Sequence, residues 1–484
     1  MTSIKKELIT GVYYIALAKY SGIIAQIVIT SILARLIMPE EFGVIAIATI
    51  LIYFIRIVAD LGMGPAIIQN KSLDSEDYRS LFSVFLIIGV VLANIFYFSS
   101  NAIAIFYNNN ELSIICKWMS LIVFFNTIGT IFDSLLMKEK KFKFVAYRTL
   151  IVQITTGIIA IIAAFYGLGV YALVLQAVLS SIFIFIVNYS QNRLKPSFKN
   201  ISKSFCKVKS FSIYQFLFNI INYFTRNLDK LVVGKYLGTA MLGYYEKSYR
   251  LMMLPLQNLT DVVNPVMLPI FSQKDVSLDK IKEGYLKVIK AMAYVSFPLS
   301  AFLYFDAREL ILLFFGSNWE LSIVPFKILA LSVSIQVLNS TTGAIFQATN
   351  NSKGLMYCGI FGALFIISGF FLSIILFGTL ESVAIGFDIS LFLAAAYSFV
   401  LLFKSMKMPI VDLMKTIVLP LILFLTIFFS LSFIECLFNL DNIIVSLLIK
   451  IIIVAVLTLF FTYLFGGYNL KVILKRVFNK KVIK

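Results

Sequence analysis

Gln215, Asn219, Asn222, Arg226 and Asp229 recur at steps of four, three, four and three within an otherwise apolar stretch, Phe211 to Gly234. That spacing puts all five on one face of an α-helix. A central Arg or Asp costs about 2.5–3.5 kcal/mol on membrane-insertion scales, so the stripe should face partner helices or a wet interior. Two readings stay open: a structural Arg226–Asp229 pair that locks two helices, or one wall of a solvated transport cavity. Further stripes carry charge at helical spacing. Lys19, Gly22, Gln26 and Thr30 share a face near the N-terminus, and Tyr53, Arg56 and Asp60 share another. Lys247, Arg250, Gln257, Asp261 and Asn264 lie on a segment that Pro255 and Pro265 can bend. Guanidinium and ammonium groups spread over the membrane depth suit an anionic group crossing the protein. Each has a plainer alternative. Lys19 and Lys247 can snorkel to an interface, Arg56 with Asp60 can form a neutralised pair, and Asp60, Asp229 and Asp261 can be simple counter-ions. Lys327 and Lys450 lack polar companions on their helices and read as snorkelling or packing features.

No catalytic or metal-binding set accompanies these residues. The chain has no histidine, which removes the usual general base and the commonest metal ligand. Cys116, Cys206, Cys358 and Cys436 are too scattered for metal-ligand spacing or a disulfide framework. A GxxxxGK[ST] phosphate-binding loop is absent, so a nucleotide-driven pump is not expected.

Composition dictates what must position the charged stripes. Of 484 residues, 60% are hydrophobic and 14% charged, with a mean hydropathy of +0.94. Those values exclude an ordinary soluble domain and predict an all-α polytopic membrane protein. The net charge of +18 would suggest nucleic acid in a soluble protein, but here its placement matters more, and no nucleic-acid partner is expected. Apolar periodicity predicts about fourteen transmembrane helices, near 11–37, 43–66, 80–101, 112–137, 145–165, 169–190, 208–234, 240–271, 285–305, 320–347, 354–377, 380–403, 413–438 and 443–466. With the N-terminus inside, 30 of the 42 basic residues, Arg148 among them, fall in alternate segments on the cytoplasmic side. Only Arg35, Lys230, Lys235 and Arg308 fall outside. The positive-inside rule therefore puts both termini in the cytoplasm. MTSIKKE leads into a long span without an evident cleavage site, so the first helix is read as retained.

The chain also repeats itself. Ala34–Gly43 (ARLIMPEEFG) aligns without gaps to Gly234–Gly243 (GKYLGTAMLG), and Phe106–Ile114 (FYNNNELSI) aligns to Phe315–Ile323 (FGSNWELSI). Two matches in the same order predict two pseudo-symmetric six-helix lobes related by an axis along the membrane normal, with two C-terminal helices appended. The expected boundaries are a first lobe over 1–190, a basic cytoplasmic linker over 191–209, a second lobe over 210–404, two appended helices over 405–466 and a basic tail over 467–484.

LARLIMPEEFGVIAIA (Leu33–Ala48) and DLGMGPAIIQ (Asp60–Gln69) resemble the amino-terminal signature of Wzx-type polysaccharide flippases. RNLDKLVVGKYLGTAMLGYYEKSYRLMMLP (Arg226–Pro255) and LFFGSNWELS (Leu313–Ser322) are similar to their later landmarks. These flippases belong to the multidrug/oligosaccharidyl-lipid/polysaccharide exporter superfamily. The resemblance implies two six-helix lobes around a central cavity and outward movement of undecaprenyl-pyrophosphate-linked oligosaccharide by alternating access in the bacterial cytoplasmic membrane. On that reading Arg56, Asp60, Arg226 and Asp229 occupy cavity-facing positions, and Lys19, Gln26, Asn219, Asn222, Lys247 and Arg250 from the polar stripes complete the candidate substrate-binding set. It implies a transporter rather than an enzyme, a lipid-linked oligosaccharide substrate in surrounding membrane lipid, and polymerase and glycosyltransferases as candidate partners. No cofactor is expected, while a coupling ion, H+ or Na+, stays open. The competing readings are a cation-coupled multidrug exporter of the same superfamily and a polysaccharide polymerase.

Overall fold

A computed structural model describes residues 2–60, 62–273, 277–437 and 442–465. The side chains of 2–18, 208–219, 221, 222 and 225 lie outside the described residues. The chain forms long helices because a backbone in hydrocarbon must satisfy its own hydrogen bonds. It packs as two compact units, Met1–Tyr244 with Phe314–Asn318, and Tyr245–Leu313 with Trp319–Lys484.

The first unit holds α1 (Thr2–Leu36), α2 (Pro39–Asp60), α3 (Met63–Gln69), α4 (Ser75–Tyr107), α5 (Glu111–Lys138), α6 (Phe142–Phe165), α7 (Val170–Gln191), α8 (Ile201–Tyr236) and the first residues of α9 (Thr239–Phe271). A capping box starts α4, with Asp74 accepting from the Asp77 amide at 2.8 Å and Asp77 accepting from the Asp74 amide at 3.1 Å. Asn108, at φ 52°, ends it in the left-handed region. Phe82, Phe85, Phe132 and Leu135 form a core shared by α4 and α5 and roofed by Phe185 and Tyr189 of α7. Ile29 and Leu33 of α1 pack on Ala160, Ala163 and Ala164 of α6.

The expected linker is docked rather than loose. Arg79 donates to the Lys195 carbonyl at 3.1 Å, Ser83 to that of Ser197 at 2.9 Å and Ser80 to that of Lys199 at 2.6 Å. Helix α8 already begins at Ile201, and Ser204 and Lys207 both bond the Asp77 carboxylate.

The second unit holds the rest of α9, then α10 (Leu278–Phe305), α11 (Ala307–Phe315), a 3₁₀ turn (Ser317–Ser322), α12 (Ile323–Leu331), α13 (Val333–Ser340), α14 (Thr342–Ala348), α15 (Ser352–Leu376), α16 (Leu380–Ser405), α17 (Ile410–Leu437) and α18 (Ile443–Leu464). Gly369 and Gly386 bring α15 and α16 together so closely that a Cβ on Gly369 would lie 1.8 Å from Ser390 Oγ. Tyr294, Ala301 and Phe305 of α10 pack on Leu423, Ile427 and Leu431 of α17.

Among the described residues, 11 helices are long and apolar enough to cross a membrane, or 12 if a pair bent by 43° at Ser332 counts as one span. Ser332 donates to the Leu329 carbonyl at 2.7 Å, and Ser300 draws on the Ala330 carbonyl at 2.6 Å. Hydroxyls inserted into the helical ladder are a recognised cause of such bends. The expected count of fourteen also included α8 and α9, with 36 and 33 residues. Neither is among the helices apolar enough to count, and both carry the polar stripes described above.

The repeat offset reappears as geometry. A Cβ on Gly43 would stand 1.8 Å from the Thr239 carbonyl oxygen, and one on Gly243 would stand 1.9 Å from that of Pro39. Each glycine thus faces the first residue of the other helix, and those two first residues, Pro39 and Thr239, are themselves paired in the alignment. Beside them, Lys235 covers the Phe106 ring at 4.5 Å and bonds the Phe106 carbonyl. Arg35 lies against Gly316, where a Cβ would meet Arg35 Cγ at 3.3 Å. The first aligned pair of segments therefore meets by reciprocal contacts, and Arg35 and Lys235, aligned with each other, both lie against the second pair.

Gly43→Ala is expected to destabilise the protein by about 1–3 kcal/mol, because backbone on both sides prevents relaxation. Gly129→Ala, where no atom lies within 4 Å, should leave the thermal unfolding midpoint in detergent unchanged. Equal midpoints for the two variants would disprove the close approach.

Candidate functional site

A cavity of about 430 Å³ opens within the first unit, lined by Tyr53, Arg56, Ile57 and Asp60 of α2, Thr130, Asp133 and Ser134 of α5, and Tyr223 of α8. Helical spacing on α2 presents Tyr53, Arg56 and Asp60 to one side, as the sequence predicts. Helix α2 stops at Asp60 because Gly62, at φ 72°, turns the chain into the short α3. The Gly64 amide of α3 then donates to Asp60 Oδ1 at 3.0 Å. A Cβ at Gly64 would come within 2.9 Å of that oxygen, so a larger residue there would push the Asp60 carboxylate from its place.

Tyr223 reaches across from α8 and bonds the Ile50 carbonyl. Its ring and that of Phe224 flank Phe54 at 6.2 and 5.2 Å. The α8 wall is thus held by an aromatic cluster, with the phenol group at the cavity surface.

Behind α5 stands a buried polar triad. Arg148 of α6 pairs with Asp133 Oδ1 at 2.8 Å, Asn188 of α7 donates to the same oxygen at 2.9 Å, and Arg148 also bonds the Asn188 side-chain carbonyl. Arg148 and Asn188 are buried, while Asp133 is partly open to the cavity. Charge is balanced behind the wall, and Arg56 is left differently. Its side chain is exposed and forms no ion pair within 4 Å among the described residues. Its planar fork of donors faces space that a ligand can enter, beside two tyrosines and two hydroxyls. Such a set can bind an oxyanion and hydrogen-bond a polyol.

Lys19 is exposed on α1. Gln26 bonds Thr30 at 3.0 Å and accepts from Gln153 of α6 at 2.9 Å. Asn219 and Asn222 fall on α8, but their side chains lie outside the described residues. Arg226 is exposed and Asp229 buried. Lys247 is 2% exposed and stands 5.7 Å over the Trp319 ring, while Arg250 is exposed on the same helix. Lys450 does not snorkel: it is buried in ion pairs with acidic side chains.

Thr130, Asp133, Ser134 and Tyr223 were not selected from the sequence. Asn126, Thr130, Asp133 and Ser134 do recur at helical spacing on α5, and that run was the available signal. Arg148 read as a loop cation because it follows four lysines; its partners lie on α5 and α7.

Residues 32–325 match the family described as "Polysaccharide biosynthesis protein". Over 359 residues the chain is 25% identical to the teichuronic acid biosynthesis protein TuaB of Bacillus subtilis, covering 74% of each. It is 23% identical over 350 residues to the lipopolysaccharide biosynthesis protein WzxC of Escherichia coli, covering 72% of this chain and 71% of the other. The succinoglycan biosynthesis transport protein ExoT of Rhizobium meliloti is 25% identical over 336 residues, covering 69% and 68%. Among solved structures, the lipid II flippase MurJ in an inward closed conformation superposes with a TM-score of 0.73 at 19% identity, over 96% of this chain and 99% of that one. An inward-facing multidrug resistance MATE family transporter gives 0.58 at 18% identity, over 80% and 94%. These likenesses establish a shared all-helical membrane fold.

Asp133→Asn should strand a buried guanidinium and cost up to about 3 kcal/mol, the low end for breaking a buried pair because Asp133 is partly exposed. Adding Arg148→Met should recover most of that loss in thermal unfolding. Two strictly additive losses would disprove the coupling of the pair.

Proposed function

Because the chain belongs to the polysaccharide biosynthesis protein family, we propose that it is a flippase. It moves undecaprenyl-pyrophosphate-linked oligosaccharide from the inner to the outer leaflet of the bacterial cytoplasmic membrane, with both of its termini in the cytoplasm. The names of its relatives support a role in surface-polysaccharide assembly, and the fold is one that a lipid II flippase uses.

The observation that carries the reading is the exposed Arg56 in a cavity of hydroxyl groups. A pyrophosphate needs a planar, permanently charged donor, and its sugar needs neutral donors and acceptors around it. The cavity takes the pyrophosphate and the sugar nearest to it, while the hydrocarbon tail stays in lipid. Arg226, Asp229, Lys247, Arg250, Lys19, Gln26, Asn219 and Asn222 belong to the same proposed path. The lobes of 1–190 and 210–404 rock about the substrate, with the 191–209 segment joining them, helices in 405–466 appended and the 467–484 tail in the cytoplasm. A membrane potential negative inside favours expulsion by about 2.3 kcal/mol per charge per 100 mV, so two charges supply roughly 4–5 kcal/mol. Direction therefore does not require a coupling ion. Contacts with a polymerase and glycosyltransferases belong to the same proposal.

A multidrug exporter would bind cations, which need carboxylates free of basic partners. In this cavity Asp133 is paired with Arg148 and Asp60 accepts from the Gly64 amide, which disfavours that use.

The test is flipping of a fluorescent undecaprenyl-pyrophosphate-linked disaccharide by the reconstituted full chain. Arg56→Ala removes charged hydrogen bonds of about 1.5–3 kcal/mol, hence roughly a 10–100-fold loss. Arg56→Lys keeps the charge without the planar fork and should fall between. Wild-type flipping by Arg56→Ala would remove the cavity from the path.

A further inference from the structure

Lys450 of α18 is 1% exposed and stands where carboxylates from three elements converge. Its Nζ lies 2.9 Å from Glu309 of α11, 2.8 Å from Glu435 of α17 and 3.9 Å from Asp306, which directly follows α10. It also donates to the Phe305 carbonyl at 3.1 Å, and Ser446 donates to Glu309 at 2.8 Å. Asp306 is fully buried, and among the described residues neither of its carboxylate oxygens has a hydrogen-bond partner.

One ammonium cannot neutralise three carboxylates. Fully ionised, the cluster would keep two excess negative charges, one of them sealed from water, and such groups hold a proton instead. The three acids are not equivalent. Glu309 receives two donors, so their hydrogen bonds outweigh its burial and keep its pKa below the ordinary value. Glu435 has the Lys450 donor and a side chain 40% exposed. Asp306 has no hydrogen-bond donor among the described residues and is buried; burial pushes its carboxyl up to about 8, with Lys450 opposing the rise and Glu309 and Glu435 adding to it.

We infer that Asp306 is a proton-binding site, and that taking up and releasing this proton is coupled to movement of α17 and α18. The coupling rests on the flippase reading, whereas the binding of the proton does not. On release, the Asp306 O–H bond breaks, its electron pair stays on the carboxylate, and the proton leaves to water past the exposed Glu435. The new charge then competes with Glu309 and Glu435 for Lys450, now 3.9 Å away. A lysine that changes carboxylates draws α18 from α11 and α17 toward the end of α10. Other charged groups nearby are few. On α12, which packs on α10, Lys327 is held over the Tyr304 ring at 4.5 Å; α13 has no titratable side chain; Arg308 is exposed.

The test uses the full chain in vesicles of phosphatidylethanolamine and phosphatidylglycerol. Infrared difference spectra from about pH 6 to about pH 10 should show a protonated-carboxyl band disappearing, with a midpoint near 8. Asp306→Asn should abolish that band, and Glu309→Gln should keep it. An acid whose folded pKa lies above its unfolded value loses stability as pH rises between the two. The wild-type unfolding midpoint should therefore fall toward pH 8, and that of Asp306→Asn should fall less. Should Asp306→Asn not fold, Lys450→Met serves: without the opposing charge the band's midpoint should rise by about one pH unit or more. A band that survives Asp306→Asn, or does not shift in Lys450→Met, overturns the proton site. Flipping of the fluorescent disaccharide carrier should respond to an imposed pH gradient in wild type and not in Asp306→Asn. An equal response overturns the coupling. Absence of flipping in both overturns the flippase reading and the coupling with it, while the infrared band still decides proton binding.

Discussion

Hydrocarbon offers no partner to a polar group, and that constraint governs where this protein can put its charges. Arg148 is joined to Asp133 and Asn188 across three helices. Lys138 is spent on the carbonyls of Ile67 and Asn70 and the hydroxyl of Tyr78, which ties the end of α5 to α3 and α4. Lys247 lies over an indole ring. Each of these cations is provided for by protein atoms. Arg56 departs from the pattern: it stands in an open cavity, and the nearest acid on its own helix, Asp60, accepts from the Gly64 amide. A guanidinium exposed inside a cavity, without an ion pair among the described residues, is where an anionic guest gains from direct pairing.

The same constraint shapes the approach of the two repeats. Once backbone groups are satisfied within helices, close contact needs only the removal of side chains, and Gly43 and Gly243 do this in reciprocal fashion. Lys235 on Phe106 and Arg35 against Gly316 lie beside them. Pro39 and Thr239, like Gly43 and Gly243, are aligned at an offset of 200 in the sequence, so that sequence match coincides with a close contact inside the first unit.

Much of this was legible beforehand, for identifiable reasons. Hydropathy and length dictate the helical membrane class, and helical spacing placed Tyr53, Arg56 and Asp60 on a common surface, because both depend on residues close in sequence. Interactions between distant helices were not legible. Asp133 shows nothing unusual until Arg148, 15 residues on, and Asn188, 55 residues on, are brought to it. Lys450 has no polar companion at i±3 or i±4 on its own helix other than Ser446, and its acids come from Asp306, Glu309 and Glu435. Counting basic residues by segment placed Arg148 in a loop for the same reason: the rule sees neighbours along the chain and not across it. The polarity that marked α8 and α9 as interesting is also what keeps them out of a count based on apolar length.

The first compact unit includes Phe314–Asn318 along with Met1–Tyr244. This bears on biosynthesis. A ribosome must deliver residue 318 before that unit has all its parts, so the early helices wait in the membrane, incompletely matched, while some seventy further residues are made and inserted (the interval between the two segments). A nascent chain interrupted in that interval would hold Lys235 on Phe106 already, while the Arg35 side chain would still await the backbone of Gly316.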